Sequence, residues 1–155
     1  MAQVTIKNYQ DFEKYLGKEF GVSEYLEITQ EQVNQFADAT FDQQWIHTDP
    51  ERAKVESPFG TTIAHGYLTV SLLKHFWDDV VEVQNVKAII NYGIDKFKFG
   101  EHVAVGDKAR VRIFLHSLAD LRGITKLQLK VRMEVEGKKK PAYEGLITFL
   151  YHFNK

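Results

Sequence analysis

Among its 155 residues the chain has no cysteine, only three prolines, and no stretch approaching the roughly 18 apolar residues of a membrane span. Without cysteine there is no disulfide, no zinc ribbon, no iron–sulfur ligation and no thiol nucleophile. An excess of charge is missing too: 20 Lys and Arg stand against 21 Asp and Glu, a formal net charge of −1. A nucleic-acid binder normally carries a basic excess or stripe. The one dense basic run, Lys138-Lys139-Lys140, lies between Gly137 and Pro141 and reads as a solvated turn. The opening residues, Met1-Ala2-Gln3-Val4-Thr5-Ile6-Lys7, show no apolar core of a signal peptide. A soluble, cytoplasmic protein that engages neither nucleic acid nor membrane is the expectation. No linker, repeat or low-complexity tract interrupts the chain, and its length fits one domain over 1–155.

What is present is an ordinary globular composition, 44% apolar and 26% charged, whose character changes near residue 82. The first half reads helical. Thr29 followed by Gln32 resembles a capping box, and Val33, Phe36 and Ala37 then predict a helix over 30–39. Periodicity fails over 41–48, which predicts a loop, until Asp49-Pro50 opens a short turn through Ala53. After Pro58-Phe59-Gly60, Ile63 to Val81 is largely apolar, with Tyr67, Leu68, Leu72, Leu73 and Phe76 at helical spacings, and predicts a helix buried on nearly every side.

The second half reads as strand. Leu127, Leu129, Val131, Met133 and Val135 alternate with polar residues, the period of a half-buried strand. Less regular segments at 84–99, 108–118 and 140–153 are separated by turn signals. The class expected is α+β: one central helix wrapped by a curved antiparallel sheet, whose uncovered edge favours a dimer.

Two places carry candidate chemistry. Asp42 and His47 are five residues apart, about 140° on a helix and on opposite faces of a strand, so only a turning loop brings them together. So joined, a carboxylate and an imidazole can hold one water while one takes a proton and the other gives one. Otherwise Asp42 merely caps the loop and His47 pairs with a neighbour. His65-Gly66 sits near the start of the long helix, where backbone N–H groups lack intrahelical partners and can polarise a carbonyl. The plainer reading makes Gly66 a packing glycine.

The run Phe36-Ala37-Asp38-Ala39-Thr40-Phe41-Asp42-Gln43-Gln44-Trp45-Ile46-His47-Thr48-Asp49-Pro50-Glu51-Arg52-Ala53, followed by Pro58-Phe59-Gly60-Thr61-Thr62-Ile63-Ala64-His65-Gly66-Tyr67-Leu68, resembles the MaoC-like dehydratases, or (R)-specific enoyl-CoA hydratases, in their NodN-like branch. Asn91-Tyr92-Gly93 and Val105-Gly106-Asp107 extend the resemblance to roughly residues 20–150. It implies a hot-dog fold that dimerises through its sheet, as a homodimer or dimer of dimers. It also implies reversible syn hydration of trans-2-enoyl thioesters, on coenzyme A or acyl carrier protein, to (R)-3-hydroxyacyl thioesters. By the same resemblance Asp42 and His47 are the water-binding acid/base pair, and the Gly66 N–H is the donor to the thioester oxygen. Phe41, Gln44, Trp45, His65, Asn91 and Tyr92 are then candidates for substrate binding.

Such a reaction needs no cofactor, because the thioester is its own electron sink. The six histidines, at 47, 65, 75, 102, 116 and 152, form no HxH or HExxH pattern, so no metal is expected. Three positions depart from the family pattern. Phe41 stands where a glycine is usual, so the loop either differs from the family's or accepts the strain of a phenylalanine at positive φ, or else Phe41 lines and shortens the acyl pocket. Gln44 replaces an asparagine. Trp45 replaces a proline, as a pocket wall or as a core aromatic. The rival readings are a hot-dog thioesterase and a non-catalytic acyl-binding subunit.

Overall fold

The structure is a computed structural model that describes residues 2–155. Three short strands, β1 (Val4–Ile6), β2 (Glu19–Val22) and β3 (Leu26–Glu27), frame the first helix, α1 (Tyr9–Glu13). Next come α2 (Gln30–Thr40), α3 (Trp45–Thr48), α4 (Pro50–Glu56), α5 (Gly66–Ser71) and α6 (Leu73–Val80). The chain then turns to strand: β4 (Val81–Val83), β5 (Val86–Phe99), β6 (Lys108–Leu121), β7 (Ile124–Val135) and β8 (Tyr143–Phe153). The large sheet runs β2-β6-β7-β8-β5, antiparallel throughout, with β3 also on β6, while β1 and β4 pair in parallel.

The sheet wraps the helix as the patterning predicts. The alternating residues of β7 all point inward and are buried with Leu73, Phe76, Trp77 and Val80 of α6. Each such aliphatic side chain contributes about 1.5–3 kcal/mol by leaving water. Trp77 keeps its one polar atom satisfied by donating Nε1–H to the Tyr151 hydroxyl at 2.6 Å. The β6–β7 hairpin closes on Arg122 and Gly123, both at positive φ, the backbone a tight two-residue turn demands.

The helical half differs from expectation in three places. The long helix starts at Gly66, not Ile63, because residues 62–64 are tied to neighbours as extended chain: Ile63 bridges to Ala104, and the Ala64 N–H donates to the Val103 carbonyl at 2.8 Å. It also breaks at Leu72. There the Thr69 and Ser71 hydroxyls turn back onto the carbonyls of Gly66 and Tyr67, bonds that loosen a helical turn. Nor is it buried all round, since Tyr67 is 76% exposed. The predicted loop 41–48 contains one helical turn, α3, closed by Asp49 N–H on the Trp45 carbonyl. Asp49 caps α4 as read, but that helix runs on to Glu56, where Arg52 pairs with Glu56 at 2.6 Å. No helix among the described residues is long and apolar enough to cross a membrane.

Candidate active site

Helix α2 begins at the Thr29 cap and ends on Phe41, whose φ of 62° and ψ of 19° reverse the chain. That reversal delivers Asp42 to the mouth of the turn and α3 carries His47 back toward it. Phe41 thus takes the positive-φ alternative. It is 89% exposed and lines neither of the two hollows described below, so it stands apart from both as a pocket wall.

Both neighbouring imidazoles have assigned roles at one nitrogen. His47 Nδ1 lies 2.8 Å from the Ile63 carbonyl, which can only accept, so Nδ1 carries the hydrogen and Nε2 keeps a free lone pair. His65 donates from Nε2 to the Asp42 backbone carbonyl at 3.0 Å, leaving Nδ1 as a buried nitrogen without a partner. The two rings stack at 3.9 Å and 25°, and Phe36 packs on His65 at 4.9 Å. His65 is therefore a buried floor, 3% exposed, and not the substrate-contacting side chain expected of it. Burial holds the His47 pKa below its ordinary value. The bond to Ile63 opposes that shift, the adjacent His65 reinforces it, and the Asp42 charge opposes it.

Ligand-type atoms of Asp42, His47 and His65 lie within 4.8 Å of one another. A metal is a poor fit. Rings so nearly parallel send their in-plane lone pairs side by side, whereas zinc needs nitrogens converging at ~2 Å. A water suits Asp42 and the half-buried His47 better, because one molecule at about 2.8 Å from each of two groups spans that separation.

Gly66 follows His65 as the first residue of α5, so its N–H has no partner within the helix. A Cβ there would stand 2.9 Å from the Phe99 ring, so any side chain would force the ring or the helix to shift. Gly66 and Ile63 border an open pocket of about 880 Å³ walled by Phe59, Tyr67, Phe99 and Tyr143. Asp42 and His47 lie outside its lining, across the Ile63–Gly66 segment. Gln44 caps α3 through its backbone carbonyl, with its side chain exposed. Trp45 is neither wall nor core: it is half-buried, with the Arg52 guanidinium 4.4 Å above its ring. Asn91 and Tyr92 lie on β5 and line a second hollow of about 470 Å³ with Tyr67 and Lys74, apart from the acid/base pair. The Ile63 carbonyl and the Phe99 ring went unread in the sequence, the first because backbone groups leave no composition signal, the second because it is 33 positions from Gly66.

A family model described as the MaoC like domain matches residues 11–137. The chain belongs to the MaoC-like dehydratase family. It is 45% identical over 139 residues to the 3-hydroxyacyl-thioester dehydratase Z of Mycobacterium tuberculosis, covering 89% of this chain and 91% of that one. It is 41% identical over 135 residues to nodulation protein N of Rhizobium leguminosarum bv. viciae, covering 85% and 83%. An R-hydratase of Pseudomonas aeruginosa superposes with a TM-score of 0.69 at 19% identity, covering 86% and 82%. The fold of this MaoC-like chain is the hot-dog fold, the antiparallel sheet being the wrap and α5–α6 the filling. Membership makes it a hydratase or dehydratase.

Proposed function

We propose that this MaoC-like protein catalyses the reversible syn addition of water to trans-2-enoyl thioesters, giving (R)-3-hydroxyacyl thioesters on coenzyme A or acyl carrier protein. One observation carries the reading: ligand-type atoms of an exposed carboxylate, Asp42, and of a tautomer-locked imidazole, His47, lie within 4.8 Å, close enough to share one water. The pair holds that water. One member takes a proton from it as the hydroxyl adds to Cβ and hands that proton on to Cα, so the two parts of the water end on adjacent carbons and the pair keeps its charge. Electrons from the double bond flow to the thioester oxygen in the transition state, where the Gly66 N–H receives the growing charge. Which of the two residues acts as base is a property of the coupled pair. No step calls on a cofactor or metal.

The working unit in this reading is a cytoplasmic homodimer or dimer of dimers. Strand β5 supports it, because among the described residues it pairs with β8 alone and leaves Ile90, Tyr92 and Ile94 exposed along a free edge. Lys96 and Lys98 charge the far end of that edge and bulges interrupt it near Val86, Asn91 and Asp95, so the exposed apolar stretch from Ile90 to Ile94 is the docking segment in this reading. Incubation with crotonyl-CoA tests the chemistry. Loss of enoyl absorbance with formation of the (R)-3-hydroxy product supports hydration. Release of free thiol points to a thioesterase, and no change at all points to an acyl-binding subunit; either outcome overturns the proposal.

A further inference from the structure

His47 is held at its ring by Ile63, but its backbone is held by a residue from another element. Gln30, the first residue of α2, donates from Nε2 to the His47 carbonyl at 2.8 Å and to Asn34 Oδ1 at 2.9 Å. Its Oε1 accepts from the Thr62 hydroxyl at 2.6 Å, and Thr62 is buried. Both amide hydrogens and the amide oxygen are thereby engaged, linking α2, α3 and the extended segment that runs into His65-Gly66. The carboxamide has only one workable orientation, since the reversed one would set two oxygens against each other at His47.

The placement of these bonds matters more than their number. Thr62 is adjacent to Ile63, whose carbonyl receives the His47 Nδ1–H and whose N–H donates to the Ile46 carbonyl at 3.1 Å. One side chain therefore sets the register between the backbone that carries the imidazole and the backbone that selects its tautomer. We propose that Gln30 is a positioning residue for the acid/base pair, acting through His47 and Thr62 to hold the His47 ring in the Nδ1–H form with Nε2 free. The role in turnover rests on the hydratase reading; the geometric role does not. Glutamate cannot substitute, having no hydrogens to donate when ionised, and methionine keeps the shape without the bonds.

Two variants decide the matter, read by two methods. Gln30→Met removes all three bonds. Thr62→Val removes only the bond to Oε1 while preserving shape, and serves alone if Gln30→Met fails to fold. In long-range ¹⁵N–¹H spectra of the intact protein, with the His47 signals identified by their loss in His47→Gln, the Nδ1–H fraction of His47 is expected to fall in both variants. With crotonyl-CoA, kcat is expected to drop about 10- to 100-fold in Gln30→Met and less in Thr62→Val, with KM within about threefold, since small misplacements near the chemistry cost rates of this order. The double variant should lose no more than Gln30→Met alone, because the Thr62 bond is already gone. An unchanged His47 tautomer in the folded variants, or a loss confined to KM, overturns the proposal. If the wild-type protein does not hydrate crotonyl-CoA, the hydratase reading falls, and the tautomer measurement still rules on Gln30.

Discussion

The turn from Phe41 to Asp49 and the edge strand β5 are both exposed, yet they expose opposite things. In the turn the backbone is tied down at Asp42, Gln44 and Trp45, and what is left open beyond the Phe41 ring is polar, the Asp42 carboxylate beside the half-buried His47 imidazole. Along β5 the backbone edge is unpaired, and what is left open is apolar: Ile90, Tyr92 and Ile94. A small polar ligand can satisfy the first and cannot satisfy the second. An unpaired edge bearing large apolar side chains is matched by another strand, so the two regions call for different occupants.

The comparison breaks most visibly at the turn. Asp42→Asn and His47→Gln are each expected to lower hydration of crotonyl-CoA by ~10²–10⁴ while leaving the unfolding transition in place, the usual loss for a general acid or base. The pH profile adds a sign. Burial and His65 hold the His47 pKa below 6.5 against the opposing pulls of Ile63 and Asp42, so the imidazole is neutral at pH 7 and the acid limb of kcat/KM should lie below 6.5. Stability follows the same direction. The unfolded chain takes up this proton first, so the contribution is present above 6.5 and is lost as pH falls from there to the lowered folded value. Near-wild-type rates in both variants, measured by enoyl absorbance, would remove the turn from the chemistry.

Gly66→Ala sharpens the contrast from the pocket side. The N–H survives the substitution, but a Cβ 2.9 Å from the Phe99 ring forces helix or ring to shift. A loss of about 10- to 100-fold in kcat/KM is expected for a displaced oxyanion donor. Phe99→Leu in the same chain should restore part of it by making room. Restoration without any change in rate from Gly66→Ala itself would be meaningless, so the single variant is measured first.

At the edge the expected effect is on assembly. Ile94, 58% exposed on the apolar stretch of β5, is replaced by lysine, the residue natural edges use against pairing. Light scattering on a dilution series should show the dimer dissociating at a concentration at least about tenfold higher, a change of ~1.4 kcal/mol. A wild-type protein that is monomeric at every concentration would instead leave β5 without the occupant assigned to it.

Legibility in the sequence followed the range of the interactions. β7 was readable because alternation over twelve residues is a local pattern. The Thr29 and Asp49 caps were readable because a cap is decided within three positions, and the structure shows both bonds. The three opening strands were not, being two to four residues long and too short to show a period. The pairing of Asp42 with His47 could be inferred only by excluding regular structure between them. The burial of His65 could not, since it depends on Phe36 and on the Asp42 carbonyl, 29 and 23 positions away. A His-Gly pair at a helix start looks alike whether the imidazole faces a ligand or the core.

The smallest effect separates the turn's geometry from its chemistry. Phe41 occupies the left-handed region, which disfavours any side chain by roughly 1–2 kcal/mol, and its ring is too exposed to recover much by packing. Glycine removes that strain but adds freedom to the unfolded chain, an opposing cost of about 0.5–1 kcal/mol. Phe41→Gly should therefore stabilise the protein by a net ~0.5–1 kcal/mol, read as a higher urea midpoint at unchanged slope. A fall in stability would mean that the Phe41 ring is buried in the working protein. The surface covering it would then be one that a single chain does not display, and the turn would have to be counted with β5 among the regions completed by another molecule.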